Sequence, residues 1–229
     1  MRCRAHSVPA GAVVLVLAML VACSSYRAKV EPVADEILVK LVTDRSTTYD
    51  HPVRLTAHDL AAILDNVRVE YKANWLQRLV TGPFQPLRLL ETRVLPRVVS
   101  PLVRAFQEAG PHDRIVFYVA ERRSDVRREV TTGSLFVTGR LLHIVLTNYR
   151  NGVDVITGVE TYDRRNPEIA VAPQRFVLVF NRPEFLVEPE LTLVQRVLEG
   201  TPPSLVVDYQ LFLNLLHRQS AQSAFLSLR

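Results

Sequence analysis

Beyond residue 23 the sequence holds five histidines, His51, His58, His112, His143 and His217, and these are the first side chains that could do chemistry. His51 and His58 stand seven residues apart and are flanked by Asp50 and Asp59, so two imidazoles and two carboxylates fall in one short stretch. A metal ion needs several such ligands converging on one point. No HExxH pattern supports that here, and Pro52 separates a loop from a helix start. A loop histidine and a helix-start histidine are therefore the simpler reading. His143 lies in an alternating stretch with Leu141 and Val145 on its side and reads as a packed strand residue rather than a general base. His112-Asp113 follows Gly110-Pro111 and reads as a solvated turn. Ser134 comes in Thr131-Thr132-Gly133-Ser134-Leu135, outside the GxSxG frame that exposes a nucleophile on a strand-to-helix turn, and Gly133 reads as a strand bulge. The sequence has no Walker loop, GxGxxG cradle or metal-thiolate cluster. Glu188 and Glu190 read as favourable charge near a helix start. No catalytic, cofactor-binding or metal-ligating residue is assigned, and no cofactor is expected.

Arg122, Arg123, Arg127 and Arg128 surround Ser124-Asp125. On a hairpin tip they could hold anionic lipid headgroups, lipopolysaccharide phosphates or an acidic partner. Glu121, Asp125 and Glu129 offset part of that charge, so a solvated turn that discourages edge pairing is the simpler account.

The N-terminus has a different character. Arg2 and Arg4 are followed by an apolar, uncharged run over residues 10–21, the layout of a secretory signal and too short for a transmembrane helix of roughly 20 residues. The run ends Leu20-Val21-Ala22-Cys23, followed by Ser24-Ser25. This resembles the lipobox of bacterial lipoproteins. The resemblance covers the N-terminal segment alone and implies cleavage before Cys23, a diacylglyceryl thioether on its sulfur and an acyl chain on the new amino group. One acyl chain binds a membrane only marginally, whereas three make attachment effectively permanent. Ser24, in place of an aspartate after the cysteine, implies the outer membrane. The expected organisation is a signal peptide over residues 1–22, a lipidated tether over 23–33 and one domain over 34–229.

The whole chain has 229 residues, is 48% hydrophobic and 22% charged, and is thus of ordinary globular composition. Cys3 and Cys23 are its only cysteines, which excludes a disulfide framework and a four-thiolate zinc site. Removal of residues 1–22 takes Arg2 and Arg4 with it and lowers the formal charge from +5 to +3. That mild basicity, with no concentrated basic face, argues against a nucleic-acid partner.

The elements that must position these groups follow from periodicity. Residues 37–42 read as a strand. Thr56 and Asp59 make a helix start, with Leu60, Ile63 and Leu64 at helical spacing behind it. Residues 67–72 alternate as a strand. Ser100-Pro101 reads as a cap and first turn, with Leu102, Ala105, Phe106 and Ala109 following and Gly110-Pro111 as the stop. Residues 94–99 are either a preceding turn or the front of a longer, Pro-kinked helix. Strands over residues 114–121, 126–137, 141–147, 153–157 (after an Asn151-Gly152 turn) and 175–180 suggest an antiparallel meander of four or five strands. The end reads as a helical pair: Leu191, Val194 and Leu198 up to Gly200, then a restart at Thr201-Pro202 with Leu205, Val206, Tyr209, Phe212, Leu213 and Leu216 on a broad apolar face. That face reads as core, and as a partner-binding helix only if it is left exposed. The fold class is α+β, a meander sheet with helices packed on it.

The expected function is a membrane-anchored envelope lipoprotein, at the outer membrane and facing the periplasm. It acts as a binding or assembly module in an envelope complex. The alternatives are an envelope hydrolase whose acid and base come from separated segments, and a carrier of lipid or apolar ligands with a cavity between sheet and helices.

Overall fold

A computed structural model describes residues 31–33, 37–72, 79, 85–123, 127–154, 166–170, 176–187 and 202–226. Among these the chain runs β1 (Glu31–Val33), β2 (Ile37–Thr43), α1 (Ala57–Asp65), β3 (Val67–Tyr71), β4 (Leu87–Arg88), α2 (Leu95–Glu108), β5 (Asp113–Arg122), β6 (Arg127–Thr138), β7 (Leu141–Asp154), β8 (Phe176–Phe180), a 3-10 turn at Pro183–Phe185, β9 (Ser204–Asp208) and α3 (Tyr209–Leu226). The strands form a six-stranded sheet in the order β1-β2-β5-β6-β7-β9 and a small one in the order β4-β3-β8, all neighbours antiparallel. This is the expected α+β architecture, with β5, β6 and β7 as the meander and β2 and β9 flanking it.

Strand alternation sends Val39, Ile115, Phe117, Leu135, Ile144 and Val207 to one face, where they are buried with the apolar sides of α1 and α2. The start of α1 is a complete capping box. Thr56 Oγ1 accepts from the Asp59 amide at 3.1 Å and the Asp59 carboxylate accepts from the Thr56 amide at 3.2 Å.

Several expectations are corrected. Glu31–Val33, within the expected tether over residues 23–33, pairs with Ile37–Val39. Of the two readings of residues 94–99, the longer helix is the one found: it begins at Leu95, ahead of the Ser100-Pro101 start, and carries Pro101 inside it, because Leu95, Val98, Val99, Leu102 and Phe106 keep one buried stripe on both sides of the proline. That burial outweighs a proline cost of about 3 kcal/mol. Asn151-Gly152 is not a turn. Strand β7 continues through it, with Asn151 opposite Val130 and Gly152 opposite Glu129, because β6 is long enough to keep pairing; the irregularity moves to Arg150, at φ 45°. Residues 176–180 form a strand but leave the meander and pair with β3. The second helix of the C-terminal pair starts later than expected. Residues 204–208 are a strand on the edge of β7, since Leu205 and Val207 alternate into the core, and the helix begins at Tyr209. The first helix of that pair, like Glu188 and Glu190, lies outside the described residues. Leu205 and Phe212 are buried and Leu216 packs against the same core, so the apolar face is used within the chain.

The bulge expected at Gly133 is not on that residue: Gly133 pairs with Leu146, and the register shifts on either side of Thr132 put the extra residues on β7. A Cβ on Gly133 would sit 2.3 Å from the Val145 carbonyl oxygen and 2.9 Å from the Phe117 ring. Gly133 therefore lets β7 and the Phe117 ring approach β6 closely.

Candidate functional site

The five histidines go to separate places. His51 is buried, its ring stacked on Phe106 at 5.6 Å, and its Nε2 accepts from the Val137 amide at 3.4 Å. His58 is exposed on α1, so the two do not converge. Asp59 serves the cap and contacts His217 Nε2 at 2.8 Å, which ties α3 to the start of α1. Burial works against the Asp59 carboxylate, but the bonds from Thr56 and His217 outweigh it and hold the group below its usual range. His112 Nδ1 meets the Thr47 carbonyl at 2.9 Å in an exposed loop. His143 stacks on Phe136 at 4.6 Å and shares a 2.6 Å bond with Thr138 Oγ1. Among the described residues no three His, Cys, Asp or Glu side chains are grouped to hold a metal.

Burial lowers the pKa of both His51 and His143, with Asp113 and Asp50 opposing the effect at His51. Burial thus favours the neutral form of both rings in the fold, while in the unfolded chain they take a proton near 6.5. Below that pH the unfolded state binds more protons, so the stability present above it is lost as pH falls. In a Glu121→Gln background, which removes a carboxyl whose raised pKa acts in the opposite sense, the melting temperature is expected to drop between about pH 7.5 and about pH 5.5. A melting temperature that is flat or rising over that window would contradict this.

The described hairpin arginines fall on two sides of the strands. Arg122 and Arg128 stand directly opposite each other, and the Arg127 backbone pairs with Asp154. Arg123 turns to the opposite side, where Glu121 and Glu129 also stand opposite each other. Its Nη2 donates to Glu91 Oε1 at 2.7 Å and its Nε to Glu129 Oε2 at 2.7 Å. These bonds, Glu91 first, raise its pKa further. Ser124 and Asp125 lie outside the described residues.

Arg123 leads to an open cleft of about 540 Å3 lined by Pro86, Leu87 and Arg88 around β4, by Glu91 and Arg93 from the loop entering α2, and by Arg150 from β7. Glu91 receives three guanidinium groups, from Arg123 at 2.7 Å, Arg93 at 3.0 Å and Arg150 at 3.5 Å. The Arg123 bond is the main reason its carboxyl lies below the usual range, against the effect of burial. Behind the wall is Glu121, only 6% exposed, 3.5 Å from Arg93 and 3.8 Å from Arg123. Burial first, and the Glu91 charge second, push its pKa up against the pull of Arg123, Arg150 and Arg93. Arg88 is paired with Asp65. Tyr149 donates from its hydroxyl to the Arg88 carbonyl at 2.8 Å, and its burial pushes its pKa up to about 12.

Of the four arginines singled out in the sequence, the structure places Arg123 in this network. Glu91, Arg93, Arg150 and the buried role of Glu121 were missed. Isolated charged residues in loops have no period to reveal them. Arg150 did leave a trace, as the residue before a turn signal that the strand overrides.

No family model matches the chain, and no curated protein or solved structure does either.

Proposed function

We propose that the chain is a lipid-anchored envelope lipoprotein that works as a binding or assembly module, held through Cys23 at the outer membrane and facing the periplasm. The lipobox resemblance supports the address. Residues 24–30 separate Cys23 from β1 and reach about 25 Å when fully extended, so the domain stays near its membrane. The observation that carries the binding reading is the cleft, where guanidinium groups are pre-positioned by carboxylates on separate elements, which lowers the ordering cost of recognition.

One observation favours the hydrolase alternative: Glu91 and Glu121 have their pKa values driven in opposite directions beside one cleft. Against it, Glu91 is already bonded to guanidinium groups, and Glu121 stands behind the wall. The carrier alternative needs space between sheet and helices, and there Leu60, Ile63, Leu102, Phe106, Ile115 and Leu135 fill the layer.

The test is made on native membranes. Cys23→Ala is expected to abolish lipid labelling and leave an unprocessed precursor, and normal processing of that variant would remove the anchor. Crosslinking of the wild-type lipoprotein is expected to recover a reproducible envelope partner, lost on Arg93→Glu. Recovery of none would overturn the assembly reading.

A further inference from the structure

Arg150 is unusual on three counts. Its backbone is left-handed at φ 45°, a conformation that costs a non-glycine residue of order 1 kcal/mol or more and that persists at functional sites. Its guanidinium lies 5.4 Å from the Tyr149 ring centroid, and among the described residues it meets Glu91 at 3.5 Å. Its Nε is buried and has no hydrogen-bond acceptor among the described residues. A buried donor left unsatisfied is costly and calls for an explanation. The cleft lining holds three guanidinium groups, Arg88, Arg93 and Arg150, and one carboxylate, Glu91; Arg88 is paired outside it with Asp65, and Arg93 also reaches Glu121 behind the wall. The Arg93 side chain is 63% exposed and its outer face is open to solvent. Beside these cations the surface turns apolar, with Leu87 on the wall 39% exposed and Tyr71, 6.1 Å from the Tyr149 ring, 40% exposed.

We propose that this cleft is a phosphate-binding site in which Arg150 and Arg93 hold the oxyanion and Leu87 and Tyr71 border the group that carries it. The inference rests on the binding reading above and names its ligand chemistry. Guanidinium presents planar, paired donors that match phosphate oxygens. An oxyanion that draws the Arg150 side chain outward supplies Nε with the acceptor it lacks. It also shares Arg150 and Arg93 with Glu91, whose two oxygens serve three cations. The phosphate can arrive as the free ion or on a lipid headgroup, and the apolar border accommodates the acyl part of the latter.

The experiment uses the full mature lipoprotein in non-ionic detergent. Titration calorimetry is run with inorganic phosphate, with dihexanoylphosphatidic acid and with dihexanoylglycerol as the phosphate-free control. The expected result is saturable binding of at least one phosphate probe and none of the control. Equal binding of both probes assigns the phosphate group alone, and tighter binding of the lipid assigns a headgroup. Arg150→Gly, which relieves the backbone, and Arg93→Gln are each expected to weaken binding at least about tenfold. Melting curves verify that each variant is folded, and if Arg150→Gly is not, Arg93→Gln decides. No saturable binding, or affinities unchanged in the folded variants, would overturn the site. That failure, with a partner still recovered from membranes, would leave the binding-module reading standing. Phosphate binding without any partner would do the reverse.

Discussion

Replacement of Gly133 by alanine is expected to cost the domain about 3 kcal/mol or more. The nearest obstacle to the new Cβ is the Val145 carbonyl oxygen at 2.3 Å, a backbone atom of the paired strand, and the next is the Phe117 ring at 2.9 Å. A flexible side chain could swing aside, but this carbonyl belongs to a strand held by β6 on one side and β9 on the other. Phe117→Leu in the same chain is therefore expected to restore only a small part of the loss. Urea unfolding checks both variants. A cost below about 1 kcal/mol for Gly133→Ala would show that β6 and β7 can separate there, and that the glycine is not needed for their approach.

The second large effect is Phe106→Ala, for which about 3–5 kcal/mol is expected. The ring is fully buried, on the stripe of α2 that faces the sheet, and it stacks on His51. Its removal takes away apolar burial and leaves a cavity that the rigid sheet cannot close. It also unpacks His51, whose lowered pKa comes from burial. The variant is thus expected to be less stable at neutral pH and to lose less of its remaining stability on acidification, since an imidazole that reaches water can take its proton without unfolding. Leu211→Ala, at an exposed position of α3, should change stability by no more than about 0.5 kcal/mol. An equally small effect of Phe106→Ala would mean that the helix is not pinned to the sheet through this ring.

Much of the fold is legible wherever one period runs unbroken. The alternation in 114–121 and 141–147 marks β5 and β7, and Thr56 with Asp59 marks the start of α1. Readings failed where a local signal competes with a long-range partner. Asn151-Gly152 is a turn signal, yet β6 offers continued pairing and the chain takes it. Ser100-Pro101 is a helix start by local chemistry, yet apolar residues on both sides of the proline share one buried stripe. Leu205 and Val206 suit either a helix or a strand, and the free edge of β7 selects the strand.

The sequence by itself determined the lipobox resemblance at Cys23, the α+β class and the strand and helix periods, since each depends on residues within a few positions of one another. It also confined the charged hairpin to residues 122–128. The tertiary structure alone decided that Arg123 bonds to Glu91 and Glu129, that Glu121 is buried behind Arg93, and that Arg150 stands strained at the wall of one cleft with Glu91 and Arg93. These partners are separated by as many as 59 residues, from Glu91 to Arg150. Ion pairs of this kind have no sequence period. They form only where the registers of β5, β6 and β7 and the entry of α2 bring the charges within reach.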